Sequence, residues 1–415
     1  MMRIERPTTC TRVRTVTKTY RILMIASTSF FSDYGGHIRI LEEARVLQKL
    51  GHKVTIVTYY LGRDLPDMEI VRTRPMPWRA DYEVGSSLHK LAFDVFLGWT
   101  SLETALRRRF DIVHSHTHEA AFIGYFLSRL RGVPLVLDFQ GSMTGEMVDH
   151  GFLNPKGLWY RWVRLLELRI DQMADVIITS SQHGATLLER DFNCNAHFVH
   201  PLPDCVNLDF FHPHALTPEE MAARKVALDI PPDRPIVAYL GLLTDYQGTA
   251  LLLEAAQILK RRGVDAHFLI MGFPNILHYR QLAADLGVAD RVTFPGKVTY
   301  DKAPAHLALG DIAVAPKLST TEGCGKILNY MAMALPTVAF DLPVTREYLG
   351  TLGVYARETG DPISLADAIA GLLDDPGRRA ELGQKLRERA GRHFSWERAG
   401  RQLLSIYDGV LGRKA

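Results

Sequence analysis

Short unbroken apolar runs alternate along this chain with longer stretches whose apolar positions recur every three or four residues. The first run, Arg21–Ala26, reads RILMIA and predicts a buried strand. A loop follows to Gly35-Gly36. Ile40, Leu41, Ala44, Leu47 and Leu50 then share one helical face, and Gly51 closes the helix ahead of a second strand, Lys53–Thr58. The same alternation predicts strands over 111–116, 135–139 and 175–180, with helices over 84–109, from the end of 111–116 to about 130, and over 158–173. The segment 200–234, rich in Pro and Asp, breaks the rhythm. Pro235–Gly241 restarts it, and strands over 267–272, 291–294 and 312–315 alternate with helices over 249–262, 276–286 and 303–309. The end is helical, over 364–390 and 396–411. This order predicts an α/β protein with parallel sheets in two successive halves.

Composition narrows the picture without redirecting it. A chain of 415 residues, 47% hydrophobic and 23% charged, is an ordinary globular protein long enough for two domains. The divisions expected are an extension over 1–19, a first domain over 20–205, a connection over 206–232, a second domain over 233–395 and a final helix over 396–415. A net charge of +3 is too mild to imply nucleic acid. Cys10, Cys194, Cys205 and Cys324 show no paired spacing, so neither a disulfide framework nor a zinc site is expected, and a reducing cytoplasm fits. No apolar run reaches the roughly 18 residues of a membrane span. The first helix start has glycines but no GxGxxG and no acidic residue in the dinucleotide position, which disfavours a nicotinamide cofactor.

The stretch 311–341, DIAVAPKLSTTEGCGKILNYMAMALPTVAFD, concentrates the chemistry. It reads as strand, glycine loop, helix from about 326 to 334, and strand. Gly323 and Gly325 let backbone approach a ligand, and free amides at the helix start favour phosphate. Lys326 adds a full positive charge there, and Glu322 is the one carboxylate of the loop.

Two such halves resemble the GT-B fold, two Rossmann-like domains facing across a cleft with a C-terminal helix crossing back to the first. The motifs GGHIRILEEARVLQKLGHKVTIVT (35–58), DIVHSH (111–116), GVPLVLDFQGS (132–142), MADVIITSS (173–181), PLPDCVNLDFF (201–211), VAYLGLLTDYQG (237–248), VTFPGKV (292–298) and FSWE (394–397) resemble those of retaining glycosyltransferases of family 4. The resemblance covers about 20–412. It implies a hexosyltransferase that is metal-independent and cofactor-free. The donor would be a nucleotide-diphosphate sugar held by the second domain, and the acceptor a glycan or lipid of the cell envelope on the first. The implied location is the cytoplasm, with the inner face of the plasma membrane as a place of peripheral contact. Nucleic acid is not an expected partner.

The resemblance also assigns residues. Glu322 is expected to orient donor hydroxyls, with His116 and Asp138 as further catalytic candidates at strand ends. Gly241, Thr244, Gln247, Gly323, Gly325, Lys326 and Asn329 are expected around the donor, and Gly35, Gly36 and Gln140 on the acceptor side. Departures from the family pattern fall in the donor half. Leu242 and Gln247 stand where an Arg and a Lys usually meet the diphosphate, Asn329 stands for a ribose-binding glutamate, and Gln140 for a histidine. Lys326 is the first candidate to replace the missing charge and Lys317 the second. The departures leave open a lipid-monophosphate donor, a non-catalytic sugar-binding member, or a nucleotide-sugar epimerase of the same fold. The arginines 107–109 and the Trp- and Arg-bearing helix over 158–169 read as a solvated face and a core-packing helix, with contact to an anionic membrane as the alternative.

Overall fold

The computed structural model describes residues 19–33, 35–75, 88–149, 151–319 and 323–414. The extension expected over 1–19 therefore lies, but for Thr19, outside the described residues. Seven strands form the first sheet: β1 Arg21–Ala26, β2 Lys53–Thr58, β3 Glu69–Arg72, β4 Ile112–His116, β5 Leu135–Phe139, β6 Val176–Thr179 and β7 Val199–Pro201. Their order is β3-β2-β1-β4-β5-β6-β7, with every neighbouring pair parallel. Six more form the second: β8 Ile236–Leu242, β9 His267–Phe273, β10 Val292–Gly296, β11 Ile312–Ala315, β12 Thr337–Phe340 and β13 Val354–Ala356. They run β10-β9-β8-β11-β12-β13, again all parallel. The apolar runs became central strands because parallel strands are covered on both faces; β4, β5 and β11 are buried throughout.

Each sheet reverses its winding once, between β1 and β4 and between β8 and β11. Crevices for ligands open at the carboxyl ends of strands at such points. The helix Trp396–Lys414 crosses back onto the first lobe and packs on the helix Gly35–Lys49. The Tyr407 hydroxyl there lies 2.7 Å from His114 Nδ1.

Three local readings change. The helix expected over 364–390 is two, Pro362–Leu373 and Pro376–His393, because Pro376 cannot continue the first and Asp375 caps the second. The connection over 206–232 contains the helix Pro218–Ala227, opened by a capping box between Thr217 and Glu220. The helix Leu158–Asp171 is not a core-packing helix of the usual kind. Its buried residues are Glu167, Ile170 and Asp171, while Trp159 and Trp162 are 74% and 63% exposed.

What holds that helix is polar. Glu167 accepts from the Ser142 hydroxyl at 2.8 Å, and His118 Nε2 stands 3.2 Å from Asp171 and 3.7 Å from Glu167. Burial alone would lower the pKa of His118, but Asp171 and Glu167 outweigh it and raise it from 6.5 to about 9. A histidine with a raised folded-state pKa contributes stability that is complete below 6.5 and lost as pH climbs through about 9. Urea midpoints measured across that window should therefore fall for the wild type. The slope should flatten in His118→Gln; an unchanged slope would remove the ion pair from the account.

Candidate active site

Between the two lobes lies a cavity of about 380 Å³. The carboxyl ends of β1, β4 and β5 open onto it from one side and those of β8 and β9 from the other. Gly35, Gly36, His116 and Gln140 line the first wall; Gly241, Gln247, Gly323, Gly325, Lys326 and Asn329 line the second. Ten residues singled out in the sequence, from segments some three hundred positions apart, thus meet in one space. Glu322 lies outside the described residues. Thr244 does not reach the wall; it opens the single turn Asp245–Gln247, its carbonyl accepting the Gln247 N–H at 3.2 Å.

On the second wall the chemistry centres on Lys326. Its Nζ donates to Gln247 Oε1 at 2.7 Å and to the Tyr239 hydroxyl at 3.2 Å, and lies 4.4 Å from the centre of the Tyr239 ring. Gly241 makes this path possible. A Cβ there would stand 2.6 Å from Lys326 Nζ and 2.9 Å from Cε. So a cation from the helix Lys326–Ala332 arrives beside Gln247, the position at which the loop lacks its lysine. Lys317, the second candidate, is fully buried and donates to the Gly323 carbonyl at 2.9 Å, bracing the glycine loop.

The helix start offers less than its sequence suggests. The helix ends at Ala332, and the Ile327 and Leu328 amides already donate to the Cys324 and Gly325 carbonyls, each at 3.0 Å. The charge of Lys326 therefore matters more for an anion than free first-turn amides do. Tyr330 is buried, its hydroxyl accepting the Leu240 N–H at 2.8 Å, which leaves Lys326 and Asn329 as the residues of that helix lining the cavity.

The first wall is built on a residue the sequence reading passed over. Arg39, 4% exposed, forks onto Asp138, with Nε at 2.9 Å and Nη2 at 2.9 Å, and Nη1 reaches Asp204 at 2.9 Å and the Leu202 carbonyl at 3.0 Å. Asp138 also meets His116 Nδ1 at 3.0 Å and accepts from Gln140 Nε2 at 2.9 Å. Gly36 lets Gln140 cross the helix start, since a Cβ there would lie 2.6 Å from Gln140 Oε1. The direct role expected for Asp138 does not fit this geometry: it is wholly buried behind the wall and its oxygens are engaged. Burial would raise its pKa, but Arg39 and His116 hold it far below the ordinary carboxylate range. Glu43 sits 3.1 Å from Arg39 Nε without hydrogen-bond alignment, and burial pushes its pKa well up. His116 borders the cavity but is itself fully buried, and its buried Nε2 has no hydrogen-bond partner among the described residues.

Asp204 joins the lobes. Besides Arg39 it lies 3.5 Å from the Tyr348 hydroxyl, and a Cβ on Gly323 would come within 2.8 Å of it. Tyr300 forms a second bridge, its amide donating to Asp33 at 2.9 Å. A cation and neutral amides on one wall, facing an oriented imidazole on the other, suit a ligand that is anionic at one end and rich in hydroxyls at the other.

Comparison with known proteins agrees. The family described as Glycosyltransferase Family 4 matches residues 35–210, and that described as Glycosyl transferases group 1 matches residues 234–375. The alpha-D-kanosaminyltransferase of Streptomyces kanamyceticus is 30% identical over 305 residues, covering 71% of this chain and 76% of that one. A D-inositol 3-phosphate glycosyltransferase of Corynebacterium diphtheriae is 26% identical over 314 residues, 72% and 70% of the two chains. Among solved structures, the sucrose-phosphate synthase of Thermosynechococcus elongatus superposes with a TM-score of 0.79 at 18% identity, covering 95% of this chain and 100% of that one. Anabaena HepE in complex with UDP-glucose does so at 0.75 and 15% identity, over 94% and 100%.

Proposed function

The chain belongs to the glycosyltransferases of family 4 and group 1, and from that premise we propose that it moves a hexose, with retention, from a nucleotide-diphosphate sugar to an acceptor hydroxyl. The observation that carries the donor class is the ammonium of Lys326, set between Gln247, Tyr239 and the bare Gly241 in the cavity wall. It supplies positive charge where Leu242 and Gln247 supply none. HepE, with which this chain shares its fold, was crystallised with UDP-glucose, which supports the same donor class.

In this reading the acceptor oxygen attacks the anomeric carbon on the face from which the diphosphate departs. The carbon–oxygen bond to phosphate breaks, and the acceptor proton passes to the leaving phosphate oxygen. No metal is required. Lys326 stabilises the charge that grows on the departing phosphate. Gly323 and Gly325 allow the sugar close to backbone, Asn329 hydrogen-bonds the ribose, and Glu322 orients sugar hydroxyls. His116 borders the cavity without exposing Nε2, and Asp138, with Arg39 and Gln140, fixes that imidazole in the acceptor-side wall. The acceptor is a cell-envelope lipid or polysaccharide met at the cytoplasmic face of the membrane.

The test is a panel of nucleotide sugars with candidate acceptors, read as nucleoside diphosphate released and as the anomeric configuration of the product by NMR. Release should persist in EDTA and yield the donor's own configuration. Glu322→Ala should fall about a hundredfold with an unshifted melting temperature. An inverted product, or a conversion of donor that needs no acceptor, would sink this assignment; an unimpaired Glu322→Ala would take that residue out of it.

A further inference from the structure

The first lobe carries a surface that transfer chemistry does not explain. The helices Leu88–Arg107, His118–Arg131 and Leu158–Asp171 pack side by side on one face of the first sheet. Each turns large apolar residues outward. Leu91, Val95 and Trp99 recur every fourth position and are 68%, 73% and 67% exposed. Phe122, Phe126 and Leu130 do the same on the middle helix, whose opposite side is buried at Ala120, Ala121 and Leu127. The third helix is inside out, with Glu167 and Asp171 within and Trp159 and Trp162 without. So many large exposed hydrophobes on neighbouring helices exceed the scattered ones of an ordinary surface.

Its exposed charges are mainly positive. The exposed charged residues of the three helices are Arg107, which pairs with Glu103, and Arg129, Arg131, Arg161 and Arg169. Each of their carboxylates is buried or engaged: Glu119 with Lys90, Glu103 with Arg107, Asp94 with the Tyr59 hydroxyl, Glu167 and Asp171 inside. A groove beside Trp99 and Phe96, about 520 Å³, is walled by Arg72, Arg74, Arg107 and Arg108 with Glu103, where Arg72 pairs with Asp64, Arg107 with Glu103 and Arg108 with Glu69. Aromatic residues at an apolar plane with arginines around them match the boundary between acyl chains and anionic headgroups. A second copy of this chain would bring like charges face to face. Among the described residues no helix is long and apolar enough to cross a bilayer.

We propose that this three-helix face docks the protein flat on an anionic phospholipid bilayer. The His118–Arg131 helix begins just past the carboxyl end of β4, and Lys90 of the first helix lines the cavity, so the docked face adjoins the cleft. A hydroxyl carried on a lipid would then reach the acceptor side; this last consequence, and not the docking itself, rests on the transferase reading.

Flotation of the full chain with vesicles tests it. Recovery with phosphatidylcholine vesicles containing phosphatidylglycerol should exceed recovery with phosphatidylcholine alone by about tenfold or more, and should fall with salt. The double variant Trp159→Glu/Trp162→Glu, both sites exposed, should lose flotation by about tenfold or more while keeping its melting temperature and its transfer to a water-soluble acceptor. Arg161→Glu/Arg169→Glu should lose the preference for anionic vesicles. Equal recovery on both vesicle types, unchanged flotation of the tryptophan variant, or no flotation alongside a dimer that the variant abolishes, would each overturn the proposal. Because flotation is read without substrate, a failed transferase assay leaves this result standing, and the reverse.

Discussion

Lys326→Ala is expected to lower kcat about a hundred- to a thousandfold while the protein melts at the wild-type temperature. The ammonium is the positive group that this helix brings to the cavity wall beside Gln247, where Leu242 and Gln247 provide none. A diphosphate gains negative charge as it leaves, so the loss should appear in kcat and kcat/KM alike, not in KM alone. Stability should hold because the Tyr239 hydroxyl still donates to the Leu242 carbonyl at 2.7 Å. Lys326→Arg should recover little, since a planar fork does not fit the narrow path over Gly241. Stopped assays with a saturating donor check the first point and thermal melts the second. A variant that keeps full kcat would show that the leaving group is stabilised elsewhere.

The second large effect concerns stability. Arg39→Met should destabilise the protein by about 3–5 kcal/mol, because removing one partner of a buried ion pair strands the other. Here the stranded group includes Asp138, Glu43 and Asp204. Without the guanidinium, the folded state binds protons on these carboxylates more tightly than the unfolded chain does. The sign of the linkage follows: the deficit should shrink as pH falls and grow as pH rises. Urea unfolding of wild type and variant across pH measures it. A loss under about 1 kcal/mol, or one that does not change with pH, would mean the carboxylates are held by other groups.

How much of this was legible in the sequence depends on where each signal lies. The central strands were plain because an apolar run such as that of Arg21–Ala26 reads as burial, while the short edge strands β3, β7 and β13 carry too little apolar sequence to show. The strand order, and with it both switch points, came only from the fold. The replacement of charge at the donor wall was legible as a gap at Leu242 and Gln247 with a lysine near by. Only the fold could show that Gly241 clears the way for it. Arg39 was hidden for a physical reason. A basic residue on an amphipathic helix reads as solvated, and its partners Asp138 and Asp204 lie 99 and 165 residues away. One cue was present: Arg39 and Glu43 share the stripe of Ile40 and Leu47. The helix Leu158–Asp171 misled for the converse reason. Periodicity reports that a helix has an apolar face, not which way the face points, and its inward groups are held by Ser142 and His118 from other segments.

A crystal structure with a nucleoside diphosphate tests the central claim most directly. The diphosphate should lie in the cleft, with an oxygen within hydrogen-bond distance of Lys326 Nζ and the ribose beside Asn329. A nucleotide seated elsewhere, or a cleft kept shut by Asp204 lying against Gly323 with the nucleotide in excess, would contradict it.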